Sequence, residues 1–498
     1  MGRNNIKHYK LECHKNFEIG QIENTLFSSF IEHLGRAVYG GIYEPTHKTA
    51  DKDGFREDVV SLVKDLNLSL VRYPGGNFVS NYFWEDGIGP REKRPTKTEE
   101  AWHSIEPNTI GTDEFMIWCK KAGVKPMMAV NLGTGSTDNA RNLVEYCNST
   151  MDTKYVNMRK EYGSKEPYKV THWCLGNEMD GPWQIGNLPA PEYAKKAKEA
   201  AEKMKAIDPD IKFIACGSSM IDMPTFPEWD RIVCEELYNT VDYLSIHQYF
   251  FESTTEEDYF ASGLAMDNYI NILRSVLNYA KAKNRGNKDL YLCFDEFNIW
   301  YNTGKLPEDY QIAPPILEEH QSFKDVLVFT SLLNTLLNNC DVVKIACLAQ
   351  LVNVIAPIMT QNNGEAMKNA IYHPYYLVSK YCRGKTLKVN VIGGEQFDSR
   401  FGKANYISQC VTYNENEVVV LLTNFAKEET NINLTIGDFD IKGVIEHIEM
   451  IGKYDDRNTF ENPNVILPHI VEDAIALKNN ELNITLPVSS WTMIRFKI

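Results

Sequence analysis

The chain has 498 residues, 43% of them hydrophobic and 24% charged, a composition with ample apolar material for a large core and no mark of disorder. Its formal charge of −15 argues against nucleic acid or an anionic membrane as partner, since both reward clustered Lys and Arg. It reads as a solvated acidic surface, compatible with a neutral substrate.

The first 30 residues carry charges and amides throughout, and no run approaches the length of a membrane span. Position 6 is Ile6, where myristoylation would want Ser or Thr. The 11 cysteines are scattered without any C-x-x-C, several of them inside apolar runs. These features lead us to expect no secretory leader, buried reduced thiols and a cytoplasmic location.

In chain order, Ile6 to Cys13 alternates apolar and polar residues and is assigned to a second sheet, outside the main one. Eight apolar runs bounded by turn signals follow: Phe27 to Ile31, Leu68 to Tyr73, Pro126 to Asn131, Val170 to Leu175, Phe213 to Gly217, Tyr243 to His247, Leu290 to Phe294 and Val342 to Leu348. Helix-period segments lie between them, at Gly54 to Asn67, Thr112 to Ala122, Asp138 to Cys147, Pro191 to Ile207, Leu264 to Asn284 and Gln321 to Leu337. Eight β–α units imply a parallel sheet closed into a (β/α)8 TIM barrel, expected over residues 18–384. After about residue 385 short alternating runs take over, such as Glu417 to Thr423, Ile432 to Ile436, Leu482 to Leu486 and Thr492 to Ile498. They predict an antiparallel β-sandwich of jelly-roll type, formed by residues 1–17 together with 385–498.

A TIM barrel gathers its active site at the carboxyl ends of its strands. At or just past those ends stand Glu32, Asn77, Asn131, Asn177 with Glu178, His247 with Tyr249, Glu296, and Gln350. Any one of these is adequately explained as a cap or turn former. Polar residues at seven of the eight strand ends are harder to explain that way.

Two carboxylates at strand ends suit glycosidic cleavage, which needs a proton donor at the leaving oxygen and a carboxylate below the anomeric carbon. Glu178 is the candidate donor, because Trp173, Met179, Pro182 and Trp183 around it raise a carboxyl pKa. Glu296 is the candidate nucleophile, and a separation of about 5–5.5 Å is expected if the reaction retains configuration. His247 either positions a carboxylate or is a satisfied core histidine. Tyr249 either donates to the nucleophile or covers the barrel mouth. Trp102, Trp183 and Trp300 either stack on sugar or pack. No zinc, nucleotide or serine-hydrolase motif is present, and the ligand spacing of a calcium loop is incomplete at Asp51, Asp53 and Gly54. Neither a metal nor another cofactor is expected.

At these residues the chain resembles the α-L-arabinofuranosidases of glycoside hydrolase family 51. The matching stretches are F-I-E-H-L-G-R-A-V-Y-G-G-I-Y-E-P from Phe30, V-R-Y-P-G-G-N-F-V-S from Val71, M-A-V-N-L-G-T from Met128, W-C-L-G-N-E-M-D-G-P-W-Q-I-G from Trp173, H-Q-Y from His247, F-D-E-F-N-I-W-Y from Phe294 and K-I-A-C-L-A-Q-L-V-N-V-I-A-P-I-M from Lys344. The resemblance implies Glu178 as acid/base and Glu296 as nucleophile. It also implies that Glu32, Asn77, Asn177, Tyr249 and Gln350 hold one arabinofuranose, flanked by Trp102 and Trp300. The expected substrates are arabinose-containing oligosaccharides, cleaved from their ends inside the cell by a homo-oligomer, commonly a hexamer. Phe297 departs from the pattern, which has Trp after the nucleophile. The competing readings are a barrel glycosidase acting on xylosides, galactofuranosides or β-glucans and, disfavoured by the presence of both carboxylates, a carbohydrate-binding protein without activity.

Overall fold

The structure, a computed structural model, describes residues 7–252, 255–302, 305–472, 477–478 and 480–498. Ile6, at the head of the alternating N-terminal run, lies outside the described residues.

Eight parallel strands close into a barrel: β1 Ser28–Phe30, β2 Leu70–Tyr73, β3 Lys125–Val130, β4 His172–Leu175, β5 Lys212–Cys216, β6 Tyr243–Phe250, β7 Tyr291–Ile299 and β8 Val343–Ala349. They coincide with the eight apolar runs because such strands are buried on both faces and therefore read as continuous hydrophobic stretches. Leu70, Met127, Ala129, Cys174, Ile214, Cys293, Ile345 and Cys347 fill the interior. Their outward neighbours, among them Val71, Met128, Trp173, Phe213 and Leu292, join the core beneath the helices. All 11 cysteines are buried and unpaired.

β7 departs most from expectation. It continues past Phe294 to Ile299, so Asp295 and Glu296 lie within the strand and not beyond its end. Its register against β6 steps from Cys293–Ser245 to Glu296–His247, three residues against two. This bulge turns both consecutive carboxylates inward.

The helix Thr112–Ala122 has the expected bounds and ends at Gly123, whose φ of +74° is the left-handed conformation that suits glycine. The helix read from Asp138 starts at Thr137 and is capped by Ser136, whose side chain accepts from the Asn139 amide. The helices Lys154–Glu161, Glu228–Leu237 and Tyr372–Tyr381 were not anticipated, since two or three turns offer few repeats of a 3.6-residue pattern.

The second sheet has ten strands and folds over a separate core that includes Leu11, Leu387, Val420, Leu434, Leu482 and Ile494. The strand Lys7–Ile22 belongs to it, antiparallel to Gly384–Gly393 on one side and parallel to Thr430–Gly437 on the other. Among the described residues, that parallel pair is the exception in an otherwise antiparallel sandwich. The helix Phe323–Asn338 wedges between sheet and barrel, bonding Thr330 to Thr423 at 2.9 Å and Asn338 to the Gln409 carbonyl at 2.8 Å. Its apolar residues face neighbours on every side, as its sequence requires. Among the described residues, no helix is long and apolar enough to cross a membrane.

Candidate active site

Glu178 is delivered by a turn at the end of β4. Gly176 has φ +92° and Glu178 itself has φ +42°, a left-handed conformation that costs a residue bearing a side chain about 1–3 kcal/mol and is characteristic of functional sites. Its Oε1 accepts from His247 Nδ1 at 2.9 Å and its Oε2 from Trp183 Nε1 at 2.6 Å. Burial raises its pKa by more than these two bonds lower it, and the nearby Glu296 charge adds to the rise.

Glu296 receives Arg72 Nη1 on Oε1 at 2.6 Å and the Tyr249 hydroxyl on Oε2 at 2.7 Å. Two short bonds of this kind, one from a guanidinium, fix the orientation of the carboxyl group. One oxygen each of Glu178 and Glu296 and a ring nitrogen of His247 lie within 4.8 Å of one another. A Cβ on Gly76 would come within 2.9 Å of Glu296 Oε1, so only glycine lets the loop after β2 approach the carboxylate this closely.

Behind the pair stands a buried charge network. Arg72 Nε lies 3.1 Å from Asp295 Oδ2, and Arg72 Nη2 donates to Asn177 Oδ1 at 2.6 Å. His247 Nε2 lies 3.3 Å from Asp295 Oδ1. Burial alone would lower the His247 pKa, but the charges of Glu296 and Asp295 outweigh it and hold the ring well above its ordinary value. Burial alone would raise Asp295, yet Arg72 and His247 keep it below the ordinary carboxylate range. His247 is thus no isolated core histidine, because it links three carboxylates. Together with Glu178 and Glu296 it offers one donor atom each to a cation, and its ring nitrogens lie 2.9 Å from Glu178 and 3.3 Å from Asp295.

The carboxylates open into a cavity of about 690 Å³ lined by Glu32, Asn77, Trp102, Tyr249, Trp300 and Gln350. Glu32 closes one end: Oε1 accepts from the Phe78 amide at 2.9 Å and Trp102 Nε1 at 3.1 Å, while Oε2 accepts from Gln350 Nε2 at 3.2 Å. Burial, reinforced by the Glu296 charge, pushes its carboxyl up to about 8. Trp300 packs edge-on against Tyr249, ring centroids 5.3 Å apart. Trp183 also reaches the cavity, with 43% of its surface exposed.

Asn177 stands behind the carboxylates, bonded to Arg72 and to Gln184. Asn131 is not part of the cavity; its amide bonds Thr134 and Gly135 in its own turn and donates to the Tyr82 carbonyl in the loop after β2. Asp51 accepts from the Asp53 and Phe55 amides and, with Asp53, pairs with Lys121. Phe297 packs between Phe294 and Phe329 away from the cavity.

Sequence reasoning overlooked Arg72 and the role of Asp295. The signal was present: an arginine in the middle of the apolar run Leu68 to Tyr73 must be paired if that run is a buried strand.

Comparison with known proteins agrees with this architecture. Two family profiles match, described as the α-L-arabinofuranosidase 1 domain over residues 62–263 and the α-L-arabinofuranosidase C-terminal domain over 295–490. The chain is 43% identical to the intracellular exo-α-(1→5)-L-arabinofuranosidase 1 of Bacillus subtilis, covering 99% of both chains. It is 38% identical to an exo-α-(1→6)-L-arabinofuranosidase of Bifidobacterium longum, covering 99% of this chain and 98% of the other. Among solved structures, a family 51 α-L-arabinofuranosidase from Bifidobacterium longum superposes with a TM-score of 0.93 at 36% identity, covering 98% of this chain and 99% of the other. Such identity over the whole length, on a barrel with paired glutamates at its mouth, means that the chain belongs to the α-L-arabinofuranosidases of glycoside hydrolase family 51.

Proposed function

We propose that this protein releases terminal α-L-arabinofuranose from arabinan- or arabinoxylan-derived oligosaccharides by double displacement. The observation that carries the mechanism is the pairing of unlike glutamates. Burial raises the Glu178 pKa, which suits a proton donor, while Arg72 and Tyr249 fix the orientation of Glu296. One oxygen of each glutamate within 4.8 Å of the other is compatible with the close carboxyl spacing, about 5–5.5 Å, that accompanies retention.

Glu296 attacks the anomeric carbon as Glu178 protonates the leaving oxygen, giving a covalent glycosyl-enzyme. Glu178, now a base, then draws a proton from water, which displaces Glu296. Glu32, Asn77 and Gln350 meet the hydroxyls of a single furanose between Trp102 and Trp300, with Asn177 joining from behind the pair.

The barrel carries this chemistry, and the second sheet, which takes the strand Lys7–Ile22 and resumes at Gly384, braces it through the helix Phe323–Asn338. An intracellular enzyme assembled as a homo-oligomer, a hexamer by resemblance, completes the reading. Relatives named for α-(1→5) linkages at 42–44% identity favour linear arabino-oligosaccharides over the xyloside, galactofuranoside and β-glucan alternatives.

The product profile tests the exo reading. Digestion of linear and branched arabino-oligosaccharides is expected to release arabinose from the first turnovers, each leaving the chain shorter by one unit, because Glu32 and Gln350, bonded at 3.2 Å, wall off the far side of the sugar pocket. Early internal oligosaccharides would overturn it. The configuration of the first product, read by NMR, tests retention.

The pH dependence has a defined sign. A raised Glu178 pKa means that the acid proton is lost at a higher pH than from an ordinary carboxyl, so kcat/KM on unactivated arabinosides is expected to fall as pH rises through that value. The limb should vanish in Glu178→Ala. A limb near pH 8 that survives in this variant belongs instead to Glu32.

A further inference from the structure

The cavity continues beyond the furanose pocket. At about 30 Å³ per water-sized group, its roughly 690 Å³ holds about 20 such groups, against ten heavy atoms in a free pentose. The direction of the surplus follows from the chemistry. Glu178 meets the leaving oxygen, so the leaving chain lies on the Glu178 side, away from the end closed by Glu32 and Gln350. On that side the wall passes from Trp183 to Met220 and Ile221, after β5, and to Phe251, after β6. Arg400 and Phe401, which belong to neither the barrel nor its loops, line the same cavity.

These two residues form the tip of a hairpin, Gln396–Ser399 paired with Gly402–Asn405, that projects from the chain of the second sheet. The tip is fastened to the barrel. The Arg400 amide donates to Asp258 Oδ1 at 2.8 Å, and Asn268 Nδ2 donates to the Phe401 carbonyl at 3.1 Å. The Arg400 guanidinium lies 4.5 Å from the centre of the Phe401 ring. An aromatic ring with a cation against it presents a flat, partly apolar face with donors at its rim, which suits the C–H face and hydroxyls of a neutral sugar. Trp183 and Phe251, 43% and 42% exposed, offer matching apolar surface nearer the reaction centre.

We infer that the Arg400–Phe401 hairpin forms the outer wall of a leaving-group subsite shared by barrel and sandwich, which holds a second pentose unit on the departing chain. The established family does not require this, and the inference rests on the arabinofuranosidase reading above. The second domain therefore takes part in choosing the substrate, and the preferred substrates are neutral chains of at least three sugars.

The test is the ratio of kcat/KM on linear arabinotriose to that on nitrophenyl arabinofuranoside, whose leaving group is too short to reach the hairpin. In the Arg400→Ser, Phe401→Ser double variant the ratio is expected to fall about tenfold, the scale of one lost aromatic contact and its hydrogen bonds. Arg400→Ser alone, an exposed side chain whose backbone anchor is kept, is expected to lower it about threefold. The loss should appear in KM for the trisaccharide. A ratio within twofold of the parent in both variants overturns the inference. If the parent chain hydrolyses neither substrate, it is the arabinofuranosidase reading that fails.

Discussion

Replacing Glu296 with Ala is expected to abolish turnover, by on the order of 10⁴-fold or more, because no other group can form the glycosyl-enzyme. The fold should survive. Arg72, which would otherwise become a buried unpaired charge costing several kcal/mol, keeps Asp295 as counter-ion at 3.1 Å. Circular dichroism and the unfolding midpoint should therefore stay near those of the parent. An activated fluoro-arabinofuranoside should label the parent on Glu296 and leave the variant unlabelled. Appreciable residual activity, or a label on another residue, would remove Glu296 from the nucleophile role.

The second large effect is expected from Glu178→Ala, and its signature is selectivity. Hydrolysis of arabino-oligosaccharides should slow by on the order of 10²–10⁴-fold, since the sugar alkoxide cannot leave without a proton. Dinitrophenyl arabinofuranoside needs no such help in the first step, so its glycosyl-enzyme should form and then stall for want of a base. Azide, a nucleophile that requires no deprotonation, should restore turnover and yield arabinofuranosyl azide. Equal losses on both substrates with no azide product would assign the proton transfer elsewhere. His247 keeps Asp295 as a partner at 3.3 Å when Glu178 is removed, so the variant probes the acid and not a collapsed network.

Much of this site was legible in the chain because a barrel converts sequence position into spatial position. Once eight apolar runs are accepted as parallel strands, whatever follows each run lies at one mouth. Glu32, Asn77, Glu178, Tyr249, Glu296 and Gln350 converge for that reason. Asn131 shows the limit of the rule. It too follows a strand, yet it closes its own turn, and a one-dimensional pattern does not distinguish an amide that bonds its loop from one that faces a ligand.

The sequence by itself determined the eight-stranded barrel, the change to short strands after it, and the two glutamates, since these depend on hydrophobic period, local turn residues and short motifs. Only the tertiary structure decided how the glutamates differ. The inward turn of Asp295 comes from a bulge defined by pairing with β6. The Arg72 bonds to Glu296 and Asn177 span 224 and 105 residues, and the hairpin reaches the mouth through Asp258, 142 residues away. A carboxyl pKa depends on burial and on charges a few ångströms away, and proximity between residues so distant in sequence exists only after the chain has folded.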